Sequence, residues 1–114
     1  MFNQNPHNME KYKFSKKDGG PIDQGDATRW IEKYKAKNPD GIHAYFFGSD
    51  IIRKIIDNPD AVGMRVYYAY GDGDKSQMVL IGAREDGSNI WPTEGKDGGG
   101  GTVADNGMPC PPYC

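Results

Sequence analysis

The sequence has only two cysteines and two histidines, and it holds no long apolar run. Both cysteines, Cys110 and Cys114, stand at its far end, so they exclude a disulfide framework spanning the domain. Zinc wants four ligands, and beside the cysteines the chain offers only His7 and His43. A membrane span needs roughly 18 consecutive apolar residues, and no stretch reaches that, so no membrane partner is expected. The opening MFNQNPHNMEKYKF also lacks the apolar core of a signal peptide, which leaves the cytoplasm as the expected location.

Charge of one sign is missing as well. Fourteen basic residues against 16 acidic ones give a net charge of −2, too little positive field to grip a phosphate backbone, so nucleic acid is excluded as a partner. Lys11, Lys13, Lys16 and Lys17 cluster near the N-terminus around Tyr12 and Phe14, a pattern that a solvated arm explains better than a ligand does. Hydrophobic residues make up 36% of the chain against 16 glycines and 8 prolines, so part of it is loop or tail rather than packed structure. The 114 residues suit one domain.

Within that domain three segments are expected: a flexible arm or added edge strand over residues 1–20, an α+β domain over 21–92, and a Gly/Pro-rich tail over 93–114. Ala27, Trp30, Ile31 and Tyr34 recur at helical spacing, with Asp26 as the expected N-cap and Asn38-Pro39-Asp40-Gly41 as the stop. IHAYFF alternates and is aromatic, which favours a short strand. Ser49-Asp50 then opens a second helix through about Asp57, whose Ile51, Ile52, Ile55 and Ile56 supply a wide buried face. In MRVYYAYGDGDKSQMVLIGA two alternating runs flank a glycine turn and predict a β-hairpin. Ile90-Trp91 is the expected third strand. Together these predict two helices packed on one face of a mostly antiparallel sheet of about four strands. The four consecutive glycines beyond it predict a spacer from which the tail swings free.

The tail carries the most distinctive chemistry, MPCPPYC. Cys110 and Pro111 each precede a proline and favour extended backbone. At about 3.1 Å per residue the two cysteine Cα atoms would then stand roughly 12 Å apart. A disulfide needs about 4.4–6.8 Å, so direct pairing requires a turn at Pro112-Tyr113 or a cis proline. Such a ring would be a labile disulfide rather than a strong staple, and two reduced surface thiols are the plain alternative. Met108, Cys110 and Cys114 resemble the Met-x-Cys-x-x-Cys loop of soft-metal chaperones, with one residue too many and two prolines in place of the rigid loop.

Elsewhere the plain reading is stronger. His43 could pair with a cysteine as base and nucleophile, but no third residue orients it, and a structural histidine explains it better. Asp72, Asp74 and Ser76 fail the EF-hand spacing, because the twelfth position from Asp72 is Ala83. Strand alternation sends Tyr68 and Tyr70 to one face with Met64 and Val66, and Tyr67 to the other between Arg65 and Ala69. Arg65, Tyr67 and Arg84 are the expected binding patch, since arginine beside aromatics favours recognition surfaces, although scattered exposed aromatics are ordinary.

The succession WIEKY, HAYFFG, an Ile-rich helix, VGMRVYYAY, MVLIGA and CPPYC resembles a group of small bacterial proteins that end in Cys-Pro-Pro-x-Cys. The resemblance covers roughly residues 22–114 and implies a shared fold, but no activity and no functional residues. The expected function is a non-enzymatic module that binds another protein, with no cofactor and with a homo-oligomer left open. Two alternatives stay beside it: a redox or soft-metal protein working through Cys110 and Cys114, and a folded carrier whose C-terminal peptide is processed.

Overall fold

The computed structural model describes residues 12–92 and 100–114, and it is an α+β fold with two helices and two antiparallel sheets. In chain order the elements are α1 (Gln24–Lys37), β1 (Ala44–Phe46), α2 (Ser49–Ile56), β2 (Gly63–Tyr70), β3 (Ser76–Ala83), β4 (Val103–Ala104) and β5 (Met108–Cys110). β2, β3 and β4 make one sheet, while β1 and β5 make the other.

The hairpin forms where alternation and the glycine turn place it, with Tyr68 opposite Met78 and Val66 opposite Leu80. Its turn is closed by the Gly71 amide donating to the Lys75 carbonyl at 2.7 Å, with Gly73 and Asp74 at positive φ, so turn chemistry explains the GDGD run.

α2 lies over one half of this sheet. Ile55, Leu80 and Ala104 are buried together, with Phe47, Ile51, Met64 and Met78 packed around them. Ile55 and Leu80, each 2% exposed, contribute about 1.5–3 kcal/mol apiece. Of the four isoleucines of α2 only Ile55 is buried, and Ile56 is 43% exposed, so the apolar face is narrower than its sequence suggests. On the opposite face Ile81 is fully buried.

α1 is a regular helix, but its cap lies three residues earlier than expected. Asp23 accepts from the Asp26 amide at 3.1 Å, and Asp26 sits in the first turn, where it pairs with Arg29. None of its residues is buried, so the expectation of two helices packed alike on one sheet face holds for α2 only.

The third strand beside the hairpin also differs. Asn89 and Ile90 touch the end of β3 through one bridge and one bond to Gly82, and Pro92, which has no amide to donate, follows at once. Val103–Ala104 takes the place, pairing with Ile81 and Leu80. The glycine run is therefore more than a spacer at its end: a side chain on Gly101 would overlap the Ile90 backbone, so only glycine passes there. Of the tail, residues 93–99 lie outside the described residues, and Val103–Ala104 and Met108–Cys110 are paired strands rather than a free end.

The N-terminal arm narrows in the same way. Residues 1–11, Lys11 among them, lie outside the described residues, whereas 12–18 dock on the turn after β3. The Phe14 amide donates to the Glu85 carbonyl at 2.8 Å, Lys13 lies 3.4 Å from Glu85, and Tyr12 donates to Asp18 at 2.9 Å. Among the described residues no helix is long and apolar enough to cross a membrane.

Candidate functional site: an aromatic face and cleft

Short as it is, β1 positions a cleft. His43, Tyr45 and Phe47 are half-buried while Ala44 and Phe46 are exposed, as strand alternation requires. The Tyr45 hydroxyl donates to the Ser76 carbonyl at 2.6 Å and so ties the small sheet to the start of β3. Between them opens a cavity of about 480 Å³ lined by Tyr34, His43, Tyr45, Tyr68, Gln77 and Met78, among others. Two further grooves of about 560 Å³ continue along β5, one past Asn106 and Met108 and one past Phe46, Tyr113 and the two cysteines.

Beside the cleft lies the half of the large sheet that α2 does not reach. Val66, Tyr68 and Tyr70 share the face of Leu80, yet Tyr68 is 88% and Tyr70 80% exposed. The apolar stripe of α1, with Trp30, Ile31 and Tyr34 all more than half exposed, runs on from the cleft through Tyr34. The structure thus brings together residues that are distant in the chain. Sequence alternation placed Tyr68 and Tyr70 on one face but carried no signal for which face would be covered; Tyr34 read only as part of a helix stripe, and Gln77 and Met78 as ordinary hairpin residues.

The sequence-derived patch of Arg65, Tyr67 and Arg84 converges on the opposite face, around the 84–89 turn. Arg65 Nη1 donates to the Gly87 carbonyl at 2.7 Å and to Asn89 Oδ1 at 2.6 Å, and its guanidinium lies 5.4 Å from the Phe14 ring centre. Asn89 Nδ2 donates to the Tyr67 hydroxyl at 2.7 Å, and Arg84 Nη1 donates to the Asn89 carbonyl at 3.0 Å. These bonds fix the turn and hold the arm against it.

Cys110 and Cys114 form a disulfide, with Cα atoms 4.8 Å apart and cis peptide bonds at Cys110-Pro111 and Pro111-Pro112. β5 is held to β1, Ala44 opposite Cys110 and Phe46 opposite Met108, and the His43 amide donates to the Cys110 carbonyl at 2.9 Å. In this state neither cysteine sulfur is a thiolate for a metal ion. Among the described residues no group of three His, Cys, Asp or Glu side chains could hold one.

Among the described residues two acidities are shifted, and both groups are exposed and away from the cleft. Tyr12 is raised because its hydroxyl donates to the Asp18 carboxylate, and Asp86 is lowered because the Ser88 hydroxyl and amide donate to its carboxylate.

Comparison with protein-family models, curated proteins and solved structures finds no match to this chain.

Proposed function

We propose that the protein is a non-enzymatic module that holds a partner protein on the sheet half carrying Val66, Tyr68 and Tyr70, together with the cleft beside it. The observation that carries this reading is the pair of neighbouring tyrosines, 88% and 80% exposed, on the same face as the core. Tyrosine is enriched in interfaces because a rigid amphipathic ring gives large contact area at low entropic cost, and a contiguous apolar patch on a small protein marks an interaction surface. The Arg65–Tyr67–Arg84 group is a weaker second contact, since bonds from both arginines and from Asn89 already hold the 84–89 turn. No cofactor enters this reading. Replacing Tyr70 with a photoreactive phenylalanine derivative and irradiating the host cells should give a covalent adduct of higher mass. Absence of any adduct there, with the variant folded, overturns the reading.

One observation favours a second, thiol-based reading: the disulfide sits at the surface, with Cys114 exposed. A partner dithiol would reduce it, passing two electrons and two protons to Cys110 and Cys114 while becoming a disulfide itself. Alkylation trapping in cells grown with and without a reducing challenge should then find both states; a single state under both conditions removes this reading. Release of the tail as a processed peptide fits less well, because Ala104 is part of the core.

A further inference from the structure

We infer that the partner on this face is a second copy of the same chain, a proposal that rests on the binding reading above. In the pair, the α1 stripe of each copy covers the Val66–Tyr68–Tyr70 half-sheet of the other.

Three observations lead there. First, the stripe and the half-sheet are one continuous surface, because Tyr34 and Tyr68 line the same cavity. A two-fold interface uses the same patch on both partners, and a patch made of a protruding helix stripe next to an open sheet face is complementary to itself. Second, the area suffices. The exposed shares of Trp30, Ile31, Tyr34, Val66, Tyr68 and Tyr70 come to roughly 750 Å² per copy at about 150–250 Å² for each aromatic ring. Covering both copies therefore removes at most about 1,500 Å² from water, within the range of about 1,200–2,000 Å² of a stable interface. Third, charge edges the two surfaces with opposite signs: Lys37 in the last turn of α1, beside Lys35 that already pairs with Glu32, and Asp72 and Asp74 in the hairpin turn beside Tyr70.

Closure of α1 onto its own sheet is opposed by the connection between α1 and β1. The Asn38 amide donates to the Lys35 carbonyl at 3.1 Å, Asn38 Nδ2 donates to the Tyr34 carbonyl at 3.0 Å, and the Gly41 amide donates to the Asn38 carbonyl at 3.1 Å. The turn is then anchored to β5 through His43. The Asn38 bonds belong to the helix end and move with it, so swinging the helix would have to open the Asn38–Gly41 turn against the anchored His43, whereas a second copy can meet the helix where it stands.

Sedimentation equilibrium of the intact chain between micromolar and submillimolar concentration tests the idea, paired with isotope-filtered NMR on mixed labelled and unlabelled copies. The expected result is twice the 12.6 kDa chain mass, with contacts between copies from the Trp30 indole to the Tyr68 or Tyr70 ring. Trp30→Asp and Tyr68→Asp, both at exposed positions, should each weaken association at least tenfold while circular dichroism stays unchanged. A dimer indifferent to both substitutions overturns the proposal, and so does a monomer showing Trp30–Tyr70 contacts within one copy. If the chain is monomeric but Tyr70 adducts with another protein form in cells, the second-copy idea falls and the binding reading stands. A monomer with no adducts ends both.

Discussion

The two halves of one sheet face differ in everything but their strands. At the end covered by α2, Leu80 is 2% exposed and packs with Ile55 and Ala104; at the hairpin end of the same face Tyr68 and Tyr70 lie open. β-propensity is alike in both, and so is the register, since one hairpin carries them. What separates them is length: the eight residues of α2 span about 12 Å, while the eight residues of β2 span about 26 Å. One short helix covers half a long strand, and the remaining half is left for something else.

Perturbing each half should give opposite results. The largest loss of stability is expected from Leu80→Ala, about 2–5 kcal/mol in denaturant unfolding, because it opens a cavity between α2 and the sheet. Gly101→Ala follows at about 3 kcal/mol in the same assay, since its methyl group meets the Ile90 backbone where the tail joins β3. Reducing the Cys110–Cys114 disulfide should cost about 2 kcal/mol or less, as the loop it closes is short, and amide shifts should be confined to β1 and β5. The double variant Tyr68→Ser, Tyr70→Ser should change stability by less than about 0.5 kcal/mol yet abolish adduct formation by a photoreactive residue placed instead at position 66 of the same face. A large destabilisation from that pair would instead make the open half part of the core.

The smallest effect is electrostatic. Asp86 has a lowered folded pKa, so its contribution is present above the ordinary carboxylate value and is lost as pH falls through the folded value. The Ser88 amide resonance should therefore move only in solution more acid than the ordinary carboxylate range. Asp86→Asn should remove that transition.

Local pattern carried much of the fold. The hairpin was legible because Tyr and Val alternate around GDGD, and α2 because four isoleucines sit at helical spacing after Ser49-Asp50. β4 and β5 were not, because strands of two and three residues have no period of their own and exist only through partners at Leu80, Ile81 and Ala44 to Phe46. Gly101 looked like a spacer for the same reason: its constraint is a neighbour eleven residues away in sequence. The site was half legible. Alternation sorted Tyr67 from Tyr68 and Tyr70, but periodicity says which residues share a face, not how far a helix reaches over it. The stripe of α1 shows the same limit, since Trp30, Ile31 and Tyr34 read as a buried face and stand exposed.

Hydroxyl-radical footprinting, read by mass spectrometry on dilute purified protein and on the protein inside its host cells, tests the central claim most directly. The account predicts that the Tyr68 and Tyr70 rings are readily oxidised in dilute solution and strongly protected in the cell, while the exposed Tyr12 reacts alike in both. Equal oxidation of all three in both settings would mean that nothing covers the open half of the sheet, and would contradict it.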